Sequence, residues 1–190
     1  MSDAARQRSV RLLRWTRTVH RYLGMTLFVL FVFVSLSGLL LTWKKNSGGY
    51  LLPDSERGTS TDLRAWLPTD SLAALAAAYL AREVSPDLDP SIDRIDMRPG
   101  KGMVKIVFKN HYYGLQLDGA TGTLLHVGRR RADFIENVHD GSVLDNWLGT
   151  SGWIKLIYSS VTGTALLLFT ITGFWLWYGP RRLRAAKRRG

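Results

Sequence analysis

Four histidines, His20, His111, His126 and His139, are the side chains of this sequence best suited to hold a metal or move a proton near neutral pH. The chain has no cysteine, which excludes disulfides, thiolate metal sites, cysteine nucleophiles and thioether attachment of a cofactor. Any metal must therefore rely on imidazole, methionine or carboxylate. The histidines build neither an H-E-x-x-H pair nor a hydrolytic triad. His111 is expected in a turn and His126 on a strand, both as ordinary surface or half-buried residues. His20 stands instead at the mouth of a long apolar run, and His139 is expected on a short helix (Ala132 to Val138) about fifteen residues before a second one. Gly100-Lys101-Gly102 lacks the other positions of a phosphate loop, and no G-x-G-x-x-G follows a strand. Nucleotide and flavin binding of those kinds has no support.

The elements that position His20 and His139 are two membrane spans. The chain has 190 residues, 46% of them apolar, and a net charge of +11. No charged side chain interrupts Tyr22 to Trp43 or Leu156 to Tyr178. At roughly 1.5 Å per residue each run covers about 33 Å, close to the ~30 Å hydrocarbon layer. Both are expected to cross the membrane as helices. Neither carries an acid or base within it, which argues against a pump or channel.

The basic residues collect at the ends of the chain. Arg6, Arg8, Arg11, Arg14, Arg17 and Arg21 precede the first run, and Arg181, Arg182, Arg184, Lys187, Arg188 and Arg189 follow the second. The middle is neutral, so no basic face for nucleic acid is expected. The positive-inside rule places both termini in the cytoplasm and the middle outside. The first run exceeds a usual signal core and no A-x-A follows Trp43, so an uncleaved anchor is expected. Ser159 and Gly163 form a small-xxx-small pair, read as a helix contact within the chain or between subunits.

The expected organisation is a basic cytoplasmic segment (1–21), a first span (22–43), a linker (44–68), a helix-and-sheet domain (69–131), a surface helix leading to the second span (132–153), the second span (154–178) and a basic tail (179–190). In the middle domain Thr69 or Asp70 can cap a helix with Leu72, Leu75, Tyr79 and Leu80 on one face. Four strand-like runs follow: Ile92 to Met97, Met103 to Lys109, Tyr112 to Leu117 and Thr123 to Val127. One helix laid over an antiparallel sheet is the natural closure. The fold class is an α+β membrane protein whose two transmembrane helices flank this extracytoplasmic domain.

The order of elements, with the turn Asp118-Gly119-Ala120-Thr121-Gly122, resembles the PepSY module and its D-x-x-T-G turn. His20-Arg21-Tyr22-Leu23-Gly24 is similar to the H-R-x-x-G opening of PepSY-associated transmembrane proteins. Val138-His139-Asp140-Gly141 is similar to their L-H-x-G segment, and Thr172-Gly173-Phe174-Trp175-Leu176-Trp177 to their closing T-G-x-x-x-W. Larger members have four or more spans, so this chain resembles a compact form, which suggests pairing. The resemblance implies a bacterial inner-membrane protein and, from some larger relatives, b-type haem in the reduction of iron carried by siderophores.

A b-type centre wants two axial ligands, usually neutral imidazoles. His20 and His139 face opposite leaflets and cannot share one haem. A homodimer would pair the two His20 copies on the inner side and the two His139 copies outside, with Arg17 and Arg21 neutralising propionates. The bland alternatives are a snorkelling His20 and a His139 that anchors its surface helix. Met25 is a further candidate ligand, more readily read as packing. Asp133, Glu136, Asp140 and Asp145 would attract a ferric siderophore or a partner, or form a solvated helix face. Two readings compete with electron transfer: a non-catalytic PepSY module that binds a periplasmic protein such as a peptidase, and an accessory subunit of a larger membrane complex.

Overall fold

The computed structural model describes residues 3–188. The elements are α1 (Asp3–Thr42), α2 (Thr69–Glu83), β1 (Ile92–Arg98), β2 (Met103–Phe108), β3 (Tyr113–Asp118), β4 (Leu124–Arg129), α3 (Arg131–Asp140), α4 (Ser142–Leu148) and α5 (Trp153–Arg188). They form two compact units. One holds the residues up to Gly38 together with those from Asn137 onward, and the other holds Leu39–Glu136.

The helical unit is built on α1 and α5. α1 extends through the arginine-rich segment as well as the apolar run, since arginine is a good helix former and nothing there breaks the pattern. Of the most apolar stretches of α1 and α5, only 6% and 11% are buried. Met25, Phe28, Phe33, Leu167 and Phe174 point outward. A soluble core helix would hide such residues, whereas lipid is their proper solvent. Glycines set the close contacts inside this unit. A Cβ at Gly24 would lie 3.0 Å from Phe169 Cε2, and one at Gly179 would lie 2.6 Å from Leu13 Cδ2. Gly163, expected at a helix contact, has open space around it, and the Ser159 hydroxyl turns to Asp140 O at 3.4 Å. Within the chain the close approach runs through other glycines.

The second unit is an antiparallel sheet in the order β1-β2-β3-β4, each strand paired with its sequence neighbour. α2 buries Leu72, Ala76 and Leu80, spaced one helical turn apart, against Val104, Ile106 and Phe108 of β2 and Leu115 and Leu117 of β3. This apolar contact is the core of the unit. The helix cap differs from expectation. Pro68 occupies the cap position, Thr69 is the first helical residue, and the Asp70 carboxylate accepts from the N–H of adjacent Ser71.

Every residue of β2 is buried, so its second face is covered too. The cover comes from the stretch expected to be a linker. Gln116 donates to Asp54 O at 2.5 Å and accepts from Glu56 N at 2.9 Å, and Gly58 N donates to Lys101 O at 2.8 Å. A largely polar, aperiodic segment thus runs along the sheet by satisfying backbone groups, with Leu51 buried and Trp66 and Leu67 packed against the core as its apolar anchors.

The D-x-x-T-G turn has a structural explanation. The Asp118 carboxylate accepts from the N–H groups of Thr59, Ala120 and Thr121, at 2.8, 2.8 and 3.2 Å. Burial works to raise its pKa, but these hydrogen bonds outweigh it and hold the carboxyl below the usual carboxylate range. Gly122 has φ +71, and a Cβ there would meet Leu75 Cδ1 at 2.5 Å. The positive φ makes glycine the residue that fits there without strain.

Candidate functional site

His20 projects from α1 onto α5. Its Nδ1 lies 2.8 Å from Thr172 Oγ1, and its ring stacks on Phe169 with centroids 4.0 Å apart. A Cβ on Gly173 would come to 3.4 Å from His20 Cε1. The spacing of the sequence motifs follows from this. Gly24, one turn beyond His20, leaves room for Phe169 to reach the imidazole, Thr172 supplies the polar contact, and Gly173 leaves room for the ring.

His139 on α3 is held in the same way at the other end of α1. Its Nδ1 lies 2.8 Å from Ser37 Oγ, and a Cβ on Gly38 would sit 3.5 Å from its Cε1. Gly141, two residues on, has φ +83, ends α3, and lies where a Cβ would be 2.9 Å from the Tyr158 ring. Each imidazole therefore rests on a hydroxyl–glycine step, Thr172-Gly173 for one and Ser37-Gly38 for the other. At about 1.5 Å per residue, His20 and Ser37 stand roughly 25 Å apart along α1, so the two histidines occupy opposite ends of the unit.

The hydroxyls decide the chemistry of the rings. Thr172 Oγ1 also contacts Leu168 O at 2.7 Å and Phe169 O at 3.0 Å, and Ser37 Oγ contacts Phe33 O at 2.7 Å and Val34 O at 3.1 Å. A hydroxyl has one proton, and carbonyls can only accept. In the assignment that keeps every contact, each hydroxyl donates to its own helix and accepts from the imidazole Nδ1–H. The proton then sits on Nδ1, and the Nε2 lone pair is left without a hydrogen bond among the described residues. That is the tautomer a metal-ligating histidine needs.

His20 also lines a shallow groove of about 470 Å³, open on its outer side, together with Arg21, Gly24, Phe169 and the outward-pointing Met25 and Phe28. Its walls are apolar apart from Arg21. Arg17 is exposed on α1 and does not line it. One turn beyond Thr172, Trp175 Nε1 is buried with no acceptor among the described residues. The other two histidines belong to the sheet unit. His111 Nε2 lies 3.0 Å from Asp89 O, and its Nδ1 accepts from Tyr113 N at 3.3 Å, so both nitrogens are engaged. His126 is half-buried on β4, opposite Gln116.

The acidic residues before α5 are already occupied. Asp133 pairs with Arg94 and Arg130, each at 2.8 Å, and Glu136 with Lys44 at 3.5 Å. Asp140 takes Lys155 at 2.5 Å and caps Ser142. Burial acts to raise the Asp140 pKa, but Lys155 and Ser142 outweigh it, leaving the carboxyl below its usual value. Asp145 is buried and accepts from the Thr150 hydroxyl and from the N–H groups of Ile154 and Lys155, which are orphan donors in the first turn of α5. The Thr150 hydroxyl is the largest influence lowering its pKa, and the two N–H groups add to it. These carboxylates hold the fold and are not an open anionic patch.

Sequence reasoning singled out His20 and His139 but missed their hydroxyl partners, which lie 152 and 102 positions away. The signal was present as a repeated step, Ser35-Leu36-Ser37-Gly38 in one span and Thr170-Ile171-Thr172-Gly173 in the other.

Two lipid-facing helices in sequence on either side of a helix-covered antiparallel sheet define an α+β membrane protein. Residues 17–190 match the family model described as the PepSY-associated TM region, and the chain belongs to that family. No curated protein and no solved structure matches it.

Proposed function

We propose that this protein is a b-type haem carrier of the bacterial inner membrane. As a homodimer it passes electrons from the cytoplasmic side to an acceptor outside, a ferric siderophore being the substrate class. Both termini lie in the cytoplasm and the sheet unit in the periplasm, an orientation supported by the arginines at both ends of the chain. The observation that carries the reading is the pair of hydroxyl–imidazole contacts, which leave one Nε2 lone pair free at each end of the helical unit.

The residues fit haem by halves. At the inner end His20 is the ligand, Arg21 lines the same open apolar groove and suits a propionate, and Trp175 Nε1 is a buried donor still lacking an acceptor among the described residues. Arg17 is the weaker of the two arginine candidates, being outside that lining. At the outer end His139 is the ligand. The second imidazole at each end comes from a second copy of the chain. Bound there, haem would supply one-electron chemistry, while the protein's part is to orient the imidazoles and keep the surroundings apolar.

Purified protein from haem-replete cells tests this directly. A Soret band and a reduced-state alpha band are expected, and both should weaken in His20→Ala and His139→Ala. The competing reading is a non-catalytic module that holds a periplasmic partner. It is favoured by each chain having a single imidazole at each end, and a colourless preparation whose spectrum does not respond to either substitution selects it.

A further inference from the structure

The sheet unit contains a second cavity, of about 530 Å³, that has no part in the histidine sites. Tyr50, Tyr112 and Phe134 give it aromatic walls, Ile135 adds an apolar surface, and Arg129 and Arg131 bring positive charge. Three separate segments form it, and direct bonds pin them together. Ala132 N donates to Leu51 O at 2.8 Å, Arg130 N to Tyr112 O at 2.8 Å, and Arg131 Nη1 to Tyr50 O at 3.0 Å. The cavity is therefore preformed.

Two features set it apart from an accidental hollow. The first is the turn between β2 and β3, where Asn110 has φ +67 and Tyr112 φ +60. Asparagine tolerates that conformation, but a tyrosine there is uncommon. The turn places the Tyr112 ring edge-on to Phe134 at 5.8 Å, as a wall of the cavity. The second is charge. Of four arginines in this region, Arg94 and Arg130 share the carboxylate of Asp133. Among the described residues no carboxylate pairs with Arg129 or Arg131. Arg131 lies 4.4 Å above the Tyr50 ring and Arg129 lies 5.6 Å above the Tyr113 ring, so both are positioned by aromatic faces rather than by counter-ions.

We propose that this cavity is a binding site for a small aromatic carboxylate. A flat π-system matches the tyrosine and phenylalanine walls, and a carboxylate is the planar anion that a guanidinium fork grips with two parallel hydrogen bonds. The proposal is independent of haem, and its test does not involve haem.

The full chain in nanodiscs of zwitterionic lipid is dialysed against 2-naphthoate, with empty nanodiscs as the control and 2-naphthamide as the uncharged analogue. Saturable uptake of about one naphthoate per chain is expected, with the amide bound roughly tenfold more weakly for want of charge-assisted hydrogen bonds. The double variant Arg129→Gln/Arg131→Gln should lose binding to a similar extent. Tyr112→Gly relieves the positive φ while removing the ring, so it should lose binding without lowering the melting temperature. Unsaturable uptake equal to empty nanodiscs overturns the site. So does binding that is indifferent to both variants, or equal affinity for the amide. Loss of naphthoate binding when anionic phospholipid replaces the zwitterionic lipid also overturns it, by assigning the two arginines to a lipid headgroup.

Discussion

Replacing Thr172 with valine keeps the shape of the side chain and removes the oxygen that holds His20 Nδ1 at 2.8 Å. The Phe169 ring stacked on the imidazole and the bare Gly173 beside it supply no substitute acceptor. Nδ1–H then loses a neutral hydrogen bond with a net worth of about 0.5–1.5 kcal/mol. With 1.4 kcal/mol equal to about tenfold, the ratio of the two His20 tautomers should move roughly fivefold toward Nε2–H. Magnetic resonance on the full chain, prepared free of haem and held in lipid, with isotopically labelled histidine, reads which ring nitrogen carries the proton. Wild type should show Nδ1–H at both His20 and His139. Thr172→Val should shift His20 alone, and Ser37→Ala should shift His139 alone. A wild-type His20 protonated on Nε2, or one unmoved by Thr172→Val, would refute the assignment and with it the claim that the hydroxyls prepare a ligand.

Two further predictions concern the sheet unit. Gly122→Ala combines a positive φ with a methyl group placed 2.5 Å from Leu75 Cδ1. The backbone strain should cost about 1–2 kcal/mol, the Leu75 and Leu67 methyls being free to turn aside, and lower the melting temperature by several degrees, an effect thermal unfolding in detergent would expose. The second is acid sensitivity. Asp118, Asp140 and Asp145 all have folded pKa values below the ordinary 3.8. The unfolded chain therefore takes up protons first, and the stabilisation is complete above that value and lost as pH falls through it toward the folded values. Denaturation midpoints should be level from neutral pH to about 5 and drop below about 4. Asp118→Asn should be less stable at neutral pH and show a shallower acid slope; an unchanged slope would count against the role given to its hydrogen bonds.

Much of the fold was legible because its signals are local. A charge-free run of bilayer length, alternating strands and a D-x-x-T-G turn each need only neighbouring residues to be read. Helix ends were less so. Pro68 took the cap that Thr69 or Asp70 was expected to fill, and α4 (Ser142–Leu148) was not foreseen, because Gly141 at φ +83 divides what reads as one polar stretch. The segment 44–68 looked like a linker because much of its contact with the sheet runs through backbone groups, Asp54 O and Glu56 N on Gln116 among them, and its few apolar anchors, Leu51, Trp66 and Leu67, follow no period.

The site was half legible for the same physical reason. His20 stood out by residue type and by its position at the end of an apolar run, and His139 by residue type and by the short helix leading to the second run. Thr172 and Ser37 did not, since serine and threonine in spans commonly bond their own helix, as these two also do. Only the packing of α5 on α1, and of His139 on α1, shows that the second contact of each hydroxyl is an imidazole. The cationic aromatic cavity was invisible for a stronger reason. It needs Tyr50, Tyr112 and Phe134 from three distant segments, and a tyrosine with φ +60 that no propensity foretells.

If the two imidazoles, each with Nε2 free, hold haem iron at opposite ends of the helical unit as proposed, the protein should be coloured. The most direct measurement is the absorption spectrum of the purified protein, oxidised and reduced, beside those of His20→Ala, His139→Ala and the double variant. A Soret and an alpha band are expected in the wild type, with partial loss in each single variant and complete loss in the double. A wild-type preparation from haem-replete cells without either band, or a spectrum that both substitutions leave intact, would contradict it.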